Sequence, residues 1–200
     1  MTGCDGVNGD EPRPLRADAL RNRARVLEAA EAVFAAEGVG APVDVIAEKA
    51  GVGVGTLYRH FPTKEKLYEA ILIERITGLT ADARCRLTSD DPGRAFFGFL
   101  EHLVAQTALK RDLINAMAGA GVELEVVAAE AKQGMVDAIA DLLTLAQRAG
   151  AVRADVTGPV VLSLIGATCM AADHPHRASS PPNEMLAIVC DGLRVMGSTS

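Results

Sequence analysis

Apolar residues recur three and four positions apart along most of the chain, and no stretch shows the strict alternation of a half-buried strand. From Arg16 to Glu37, Leu20, Ala24, Leu27, Ala30 or Glu31, and Phe34 follow a helical period that Gly38 ends. A connection with Gly40 and Pro42 leads to a brief helix carrying Val43, Ile46, Ala47 and Ala50, which stops at Gly51. A third short helix covers Val54 to about His60 and is closed by Pro62. Thr63 is placed to cap a longer fourth helix through Leu67, Ala70, Ile71 and Glu74 into the eighties.

The turn "SDDPGR" opens a helix with Phe96, Phe97, Phe99, Leu100 and Leu103. Further helices are predicted from Arg111 to Met117, from Val122 to Ala149 with a stop at Gly150, from Val156 to Ala172, and from Met185 to Met196. The polar loop "DHPHRASSPP" separates the last two, and no internal repeat is present. Residues 1–15 are rich in Gly, Asp and Pro without a period, which predicts a mobile tail. The pattern gives an all-α protein.

Composition narrows this picture in three ways. A chain of 200 residues with 49% hydrophobic content, 4% aromatics and no Trp builds its core from Ala, Val, Leu and Ile without needing staples. Cys4, Cys85, Cys169 and Cys190 form no C-x-x-C pair and have no His at zinc-finger spacing, which predicts reduced thiols in a cytoplasmic protein. The opening "MTGCDGVNGDEPRPL" has no apolar signal-peptide core, and "VVLSLIGATCMAA", the most apolar run, is too short to span a bilayer. No membrane partner is therefore expected.

Charge sharpens the division along the chain. The net charge of −6 hides a front part, residues 13–75, with ten Lys or Arg against nine Asp or Glu, whereas residues 76–200 carry ten against fourteen. A general nucleic-acid coat is excluded, but a local basic patch is not. Catalysis has no support: there is no Gly-x-Ser-x-Gly elbow, phosphate loop or dinucleotide fingerprint, and no cofactor is implied.

The chemistry concentrates in "AGVGVGTLYRHFPTKEKL", residues 50–67. Two short helices crossing steeply need a small residue for close approach, here Ala47, and a residue that adopts a left-handed conformation, here Gly51. Ile46, Ala50, Val52 and Leu57 would fill the wedge between them, the pattern of a DNA-binding helix-turn-helix. At about 100° per residue, setting Leu57 inward brings Phe61 and Val54 inside or to the edge. Gly55 and Arg59 then lie at the opposite pole, flanked by Tyr58 and Thr56.

That outward face suits a major groove. Arg59 can donate two hydrogen bonds to guanine O6 and N7, and Tyr58 and Thr56 can reach phosphate oxygens or a thymine methyl. Gly55 removes a side chain where helix and DNA come closest. Lys64 lies in the first turn of the next helix, whose N–H groups favour a phosphate. The stretch "RPLRADALRNRAR" adds Arg13, Arg16, Arg21, Arg23 and Arg25 for backbone contacts or a minor-groove arm.

The segment "VDVIAEKAGVGVGTLYRHFPTKEKLYEAI" closely resembles the DNA-binding domain of the TetR family of bacterial transcriptional regulators, above all in "AGV", "GTLYRHF" and "TKE"; the match runs from about Arg21 to Ile73. The resemblance implies a homodimer with an N-terminal three-helix DNA-binding domain over residues 16–62, a connecting helix over 63–88, and a larger helical ligand-binding and dimerisation domain over 89–200. It also implies that groove and phosphate contacts fall on Thr56, Tyr58, Arg59, His60 and Lys64. Many members carry Ser and Lys where this chain has Gly53 and Val54, a departure that removes a hydroxyl and a charge and shifts weight onto Arg59 and the N-terminal arginines.

For the rear half, the resemblance implies a four-helix bundle between protomers, which Val160–Ala172 and Met185–Met196 fit because Gly166 and Ala167 permit close approach. A small, mainly apolar effector would lie among the middle helices, with Phe96, Phe97, Phe99, Leu103, Met117, Met135 and Ile139 as lining and His102 as polar anchor. Each of these side chains also suits ordinary core packing. Asp173, His174 and His176 form a weak metal-ligand pattern in a polar loop, and no metal is assigned. The function expected is an effector-released repressor on a pseudo-palindromic operator; the alternative is a helical adaptor module that has lost specific DNA binding.

Overall fold

The computed structural model describes residues 13–106, 115–116, 118–119, 128–172 and 182–195, the side chains of 13–17, 170–172 and 182–183 excepted. Its helices are α1 (Arg13–Glu37), α2 (Val43–Ala50), α3 (Val54–His60), α4 (Lys64–Arg86), α5 (Pro92–Ala105), α6 (Ala129–Arg148), α7 (Gly158–Ala172) and α8 (Pro182–Leu193). Among the described residues there is no strand; a single antiparallel bridge joins Val152 to Arg194. The chain divides into two compact units, one through Leu67 and the other from Tyr68 onward.

In the first unit, α1 packs on α2 and α3, and α2 on α3. The apolar seam of α1 is Val26, Leu27, Ala29, Ala30, Val33 and Phe34, all buried. It starts later than the sequence reading placed it: Leu20 is 69% exposed and Ala24 is exposed too. The helix begins earlier than predicted, at Arg13, so residues 13–15 are helical, with Pro14 in the first turn where its missing N–H costs nothing. Residues 1–12 lie outside the described part.

In the second unit, α5 is the central element, contacting α6, α7 and α8. Asp91 caps it by accepting from the Arg94 N–H at 2.9 Å, and Pro92 occupies the first turn. Phe96, Phe99 and Leu100 are fully buried on its inner face, joined by Ala138, Ile139, Leu142 and Leu143 of α6, Val161 and Ile165 of α7, and Leu186, Cys190 and Leu193 of α8. Gly93 lets the α6–α7 connection close in: a Cβ there would sit 2.7 Å from that of Ala151.

Several boundaries differ from the sequence reading. Of the long helix predicted from Val122 to Ala149, the structure describes α6 from Ala129 to Arg148, with Ala128 (φ −114°) preceding it; residues 122–127 lie outside the described part. The last helix runs from Pro182, a residue favoured in a first turn, and ends at Leu193, where the Arg153 N–H donates to the Leu193 carbonyl. The predicted helix from Arg111 to Met117 lies largely outside the described residues, although 115–116 are helical.

Candidate nucleic-acid interface

The turn between α2 and α3 is built from hydrogen bonds that only a left-handed residue can complete. Gly51 has φ +64°; its N–H donates to the Glu48 carbonyl and that of Val52 to the Ala47 carbonyl, both at 3.0 Å, closing the C-terminus of α2. Ala47 and Ala50 are buried at the crossing, as are Ile46 and Leu57, while Val52 is half-buried. Gly53 opens α3 with φ −69° and its carbonyl accepts from the N–H groups of Thr56 and Leu57.

Helix α3 presents the face expected of it. Leu57 and Phe61 are buried, Val54 is at the edge with 36% exposure, and Gly55, Tyr58 and Arg59 face solvent. Thr56 and His60 are half-buried flanks. Among the described residues Arg59 makes no hydrogen bond or ion pair, so its five donors stay available. The glycines differ in what the fold demands: nothing lies within 4 Å of a Cβ added at Gly53 or Gly55, whereas one at Gly51 would meet the Arg25 guanidinium at 2.6 Å. Among the described residues, packing therefore does not require a glycine at position 55.

Other basic residues are already occupied. Arg25 Nη2 donates to the carbonyls of Ala50 at 2.5 Å and Gly51 at 3.2 Å. The Arg23 guanidinium lies 5.4 Å from the centroid of the Phe61 ring, and Arg21 pairs with Asp18 one turn earlier. Lys64 Nζ donates to the carbonyls of Gly40 at 3.1 Å and Ala41 at 2.8 Å, latching the start of α4 to the α1–α2 connection. The α4 N-terminus holds an anion of its own: Thr63 Oγ1 accepts from the Lys66 N–H at 3.3 Å, and the Glu65 backbone N–H and the Thr63 hydroxyl hold the Glu65 carboxyl below its ordinary value. Arg16 lies in α1.

The residues proposed to meet an effector come together in the second unit, but mostly as packed core. Phe96, Phe97, Phe99, Leu103 and Ile139 are buried in one cluster, with Met135 packed at its edge; Met117, Asp173, His174 and His176 lie outside the described residues. His102 is half-buried in a chain of side chains joining α4 to α5. Its Nδ1 is 2.9 Å from Asp82 Oδ2, Gln106 Nε2 is 3.3 Å from its Nε2, and Arg75 Nη1 donates to Gln106 Oε1 at 3.2 Å. An open cleft of about 490 Å³ elsewhere in this unit is lined by Gln147, Gly150, Val152, Arg153, Ala154, Arg194 and Val195, none of them predicted as lining. Among the described residues no group of three His, Cys, Asp or Glu is placed to hold a metal, and no helix is long and apolar enough to cross a membrane.

The sequence reading missed the carbonyl contacts of Arg25 and Lys64, because the partners lie more than twenty residues away and are backbone atoms that no side-chain pattern marks. Two pairs at four-residue spacing, Asp82–Arg86 in α4 and His102–Gln106 at the end of α5, were the local signals of the α4–α5 chain.

Comparison with known proteins places both parts of the chain. The model of bacterial regulatory proteins of the tetR family matches residues 26–71, and that of the SbtR-like transcriptional regulator C-terminal domain matches residues 91–195. A TetR transcription regulatory protein from Mycobacterium vanbaalenii is 43% identical, with a TM-score of 0.75 over 91% of this chain and 100% of that one. The TetR transcriptional regulator SCO0520 from Streptomyces coelicolor is 29% identical, with a TM-score of 0.70 over 88% and 99%. Among curated relatives, the HTH-type transcriptional activator FasR of Mycolicibacterium smegmatis is 37% identical over 47% of each chain. This chain spans about half the length of the curated relatives it matches, or less.

Proposed function

This chain belongs to the TetR family of bacterial transcriptional regulators, and from that membership we propose that it acts as a homodimeric repressor released from its operator by a small, mainly apolar effector. The observation that carries the reading is the solvent face of α3. Among the described residues Arg59 is exposed with its donors unused, Tyr58 stands beside it with 46% exposure, and Gly55 leaves the backbone clear although no described residue requires a glycine there. Arg59 reads a guanine edge, and Thr56, Tyr58 and His60 contact the flanking phosphates. Lys64 adds positive potential from beside its carbonyl partners, and Arg16 and Arg21 add backbone contacts from α1.

Dimerisation is supported by the outer faces of α7 and α8. On α7, Val160, Ser163, Gly166 and Ala167 are exposed at helical spacing, and on α8, Ala187, Ile188, Asp191 and Gly192 are. Small residues there permit close packing of two helix pairs, and a two-fold arrangement presents two copies of α3 to successive major grooves. The effector is placed against Phe96, Phe99, Leu103, Met117, Met135 and Ile139 with His102 as polar anchor. Because Phe96 and Phe99 are fully buried, it acts by favouring a repacked core that moves α4, and it shifts the equilibrium only by its differential affinity for the two arrangements.

Activation is the second reading, favoured by the description of FasR as a transcriptional activator. Fluorescence anisotropy with duplexes enriched from a random-sequence library tests the DNA reading, and transcription in vitro from a promoter carrying the enriched site separates repression from activation. Binding that shows neither sequence selectivity nor salt dependence would leave the adaptor alternative standing instead.

A further inference from the structure

We propose that Arg23 and Arg25 of α1 are positioning residues that fix the two ends of the DNA-reading helix α3, rather than phosphate contacts. The proposal rests on α3 being that helix.

The geometry is a bracket. Arg23 and Arg25 lie two residues apart on α1; the Arg25 guanidinium reaches the turn that leads into α3, and that of Arg23 reaches Phe61 at its C-terminal end. At the N-terminal end, Arg25 Nη2 sits on the Ala50 and Gly51 carbonyls, the last groups of α2 and the start of the turn that feeds α3. Helix ends leave carbonyls without intrahelical partners, and a cation there also opposes the helix dipole. The same nitrogen occupies the place a Cβ on residue 51 would need, so the Gly51 turn and Arg25 are built as one unit. At the C-terminal end, the Arg23 guanidinium lies over the ring of Phe61, the residue that caps α3 and whose own N–H donates to the Leu57 carbonyl at 2.8 Å.

A seven-residue helix has little stability of its own, since it closes few hydrogen bonds for the residues it fixes. Its orientation is inherited from what holds its ends. Buried Leu57 and Phe61 seat one face of α3 on the core, and the two α1 arginines add polar and cation–π contacts at the entering turn and at Phe61. A guanidinium spent on two carbonyls is also a poor phosphate ligand, because binding DNA would cost the contacts it already makes.

Positioning and phosphate contact predict different outcomes for Arg25→Gln. A phosphate contact contributes to all duplexes alike, and its loss lowers the slope of log K against log salt by about 1. Loss of a positioning residue lowers affinity for the enriched site at least tenfold, leaves affinity for a scrambled duplex of equal length within about twofold, and keeps the salt slope. Arg25→Lys, which keeps the charge but not the fork, is expected to show the same selective loss in milder form. Hydrogen exchange on the free protein supplies a readout independent of DNA: the Thr56 and Leu57 amides lose protection in Arg25→Gln while those of Val33 and Phe34 in α1 keep theirs.

Equal loss on both duplexes with a reduced slope overturns the proposal alone. So does unchanged protection at Thr56 and Leu57, or loss of protection throughout α1. A wild-type protein that enriches no sequence overturns the reading of α3, and this proposal with it.

Discussion

Asp82 Oδ2 accepts two hydrogen bonds at once, from His102 Nδ1 and from Arg86 Nε, each at 2.9 Å, and so ties α5 to α4 through a single oxygen. Burial by itself would raise the Asp82 carboxyl, but the bonds from His102 and Arg86 outweigh it and hold the group below its ordinary value. A carboxyl depressed in the folded state stabilises the fold fully above its unfolded pKa, about 3.9, and that contribution is lost as the pH falls through the lower folded value. Because the group is only partly shielded from solvent, the effect is small. Asp82→Asn is expected to cost no more than about 1 kcal/mol at pH 7, with the difference from wild type vanishing in the acid limb below about pH 4. Thermal denaturation at pH 7, 5 and 3 checks this; an undiminished difference at pH 3 would show that the carboxylate charge is not involved.

The two glycines flanking Val52 should respond in opposite directions. Gly51 has φ +64° and no room beside Arg25, so Gly51→Ala combines left-handed strain of about 1–2 kcal/mol with displacement of the guanidinium. Gly53 has φ −69° and open space, and it caps α3 without a side-chain hydrogen bond. Gly53→Ser supplies that acceptor and is expected to raise stability by a few tenths of a kcal/mol. Chemical denaturation of both variants measures the contrast, and equal destabilisation would contradict it.

Arg59→Ala removes the exposed, unpaired cation of α3 without touching the core. The expected cost is about 1–3 kcal/mol of DNA affinity, with relaxed preference at one base pair per half-site and unchanged stability. Competition binding against single-base variants of the enriched site reads the relaxation directly. A uniform loss with intact specificity would reassign Arg59 to a phosphate.

The outward face of α3 was legible in the sequence because Leu57 fixes the rotation of a short helix and the period then decides which side chains point away. The αL turn at Gly51 and the Thr63 cap were equally legible, being local consequences of residue type. Tertiary packing was not. Leu20 and Ala24 continue the period of α1 but are exposed, since periodicity cannot say how far a partner surface extends. For the same reason the period alone does not show that Phe96, Phe99 and Ile139, read as pocket lining, are buried together in one cluster, or that His102, read as a polar anchor, has Asp82 and Gln106 on either side. Arg25 is the sharpest case, because a basic residue in a basic stretch looks like a phosphate contact until its backbone partners are seen.

The α8 face offers a direct test of assembly. Ile188 is 74% exposed, between exposed Ala187 and Asp191, although most large aliphatic side chains of this unit are buried. Ile188→Glu places a charge where two copies are proposed to meet, and burial of unpaired charge costs several kcal/mol. The variant is expected to sediment as a folded monomer at concentrations where the wild type is a dimer, and to lose cooperative binding to a two-half-site duplex while keeping its helical content. Dimers of unchanged stability would place the interface elsewhere.

Gly55 allows stability and function to be pulled apart at one position. Glycine inside a helix costs roughly 1 kcal/mol relative to alanine, and no atom lies within 4 Å of where the new methyl would go. Gly55→Ala should therefore stabilise the protein by up to about 1 kcal/mol. The methyl would also stand at the outward pole of α3, where close approach of backbone to DNA is proposed, so affinity for the enriched duplex is expected to fall even as the melting temperature rises. Measuring both on the same preparation separates the explanations for this glycine. A variant that is more stable and binds as tightly as wild type shows that α3 does not approach DNA along Gly55, and moves the proposed contact face toward His60.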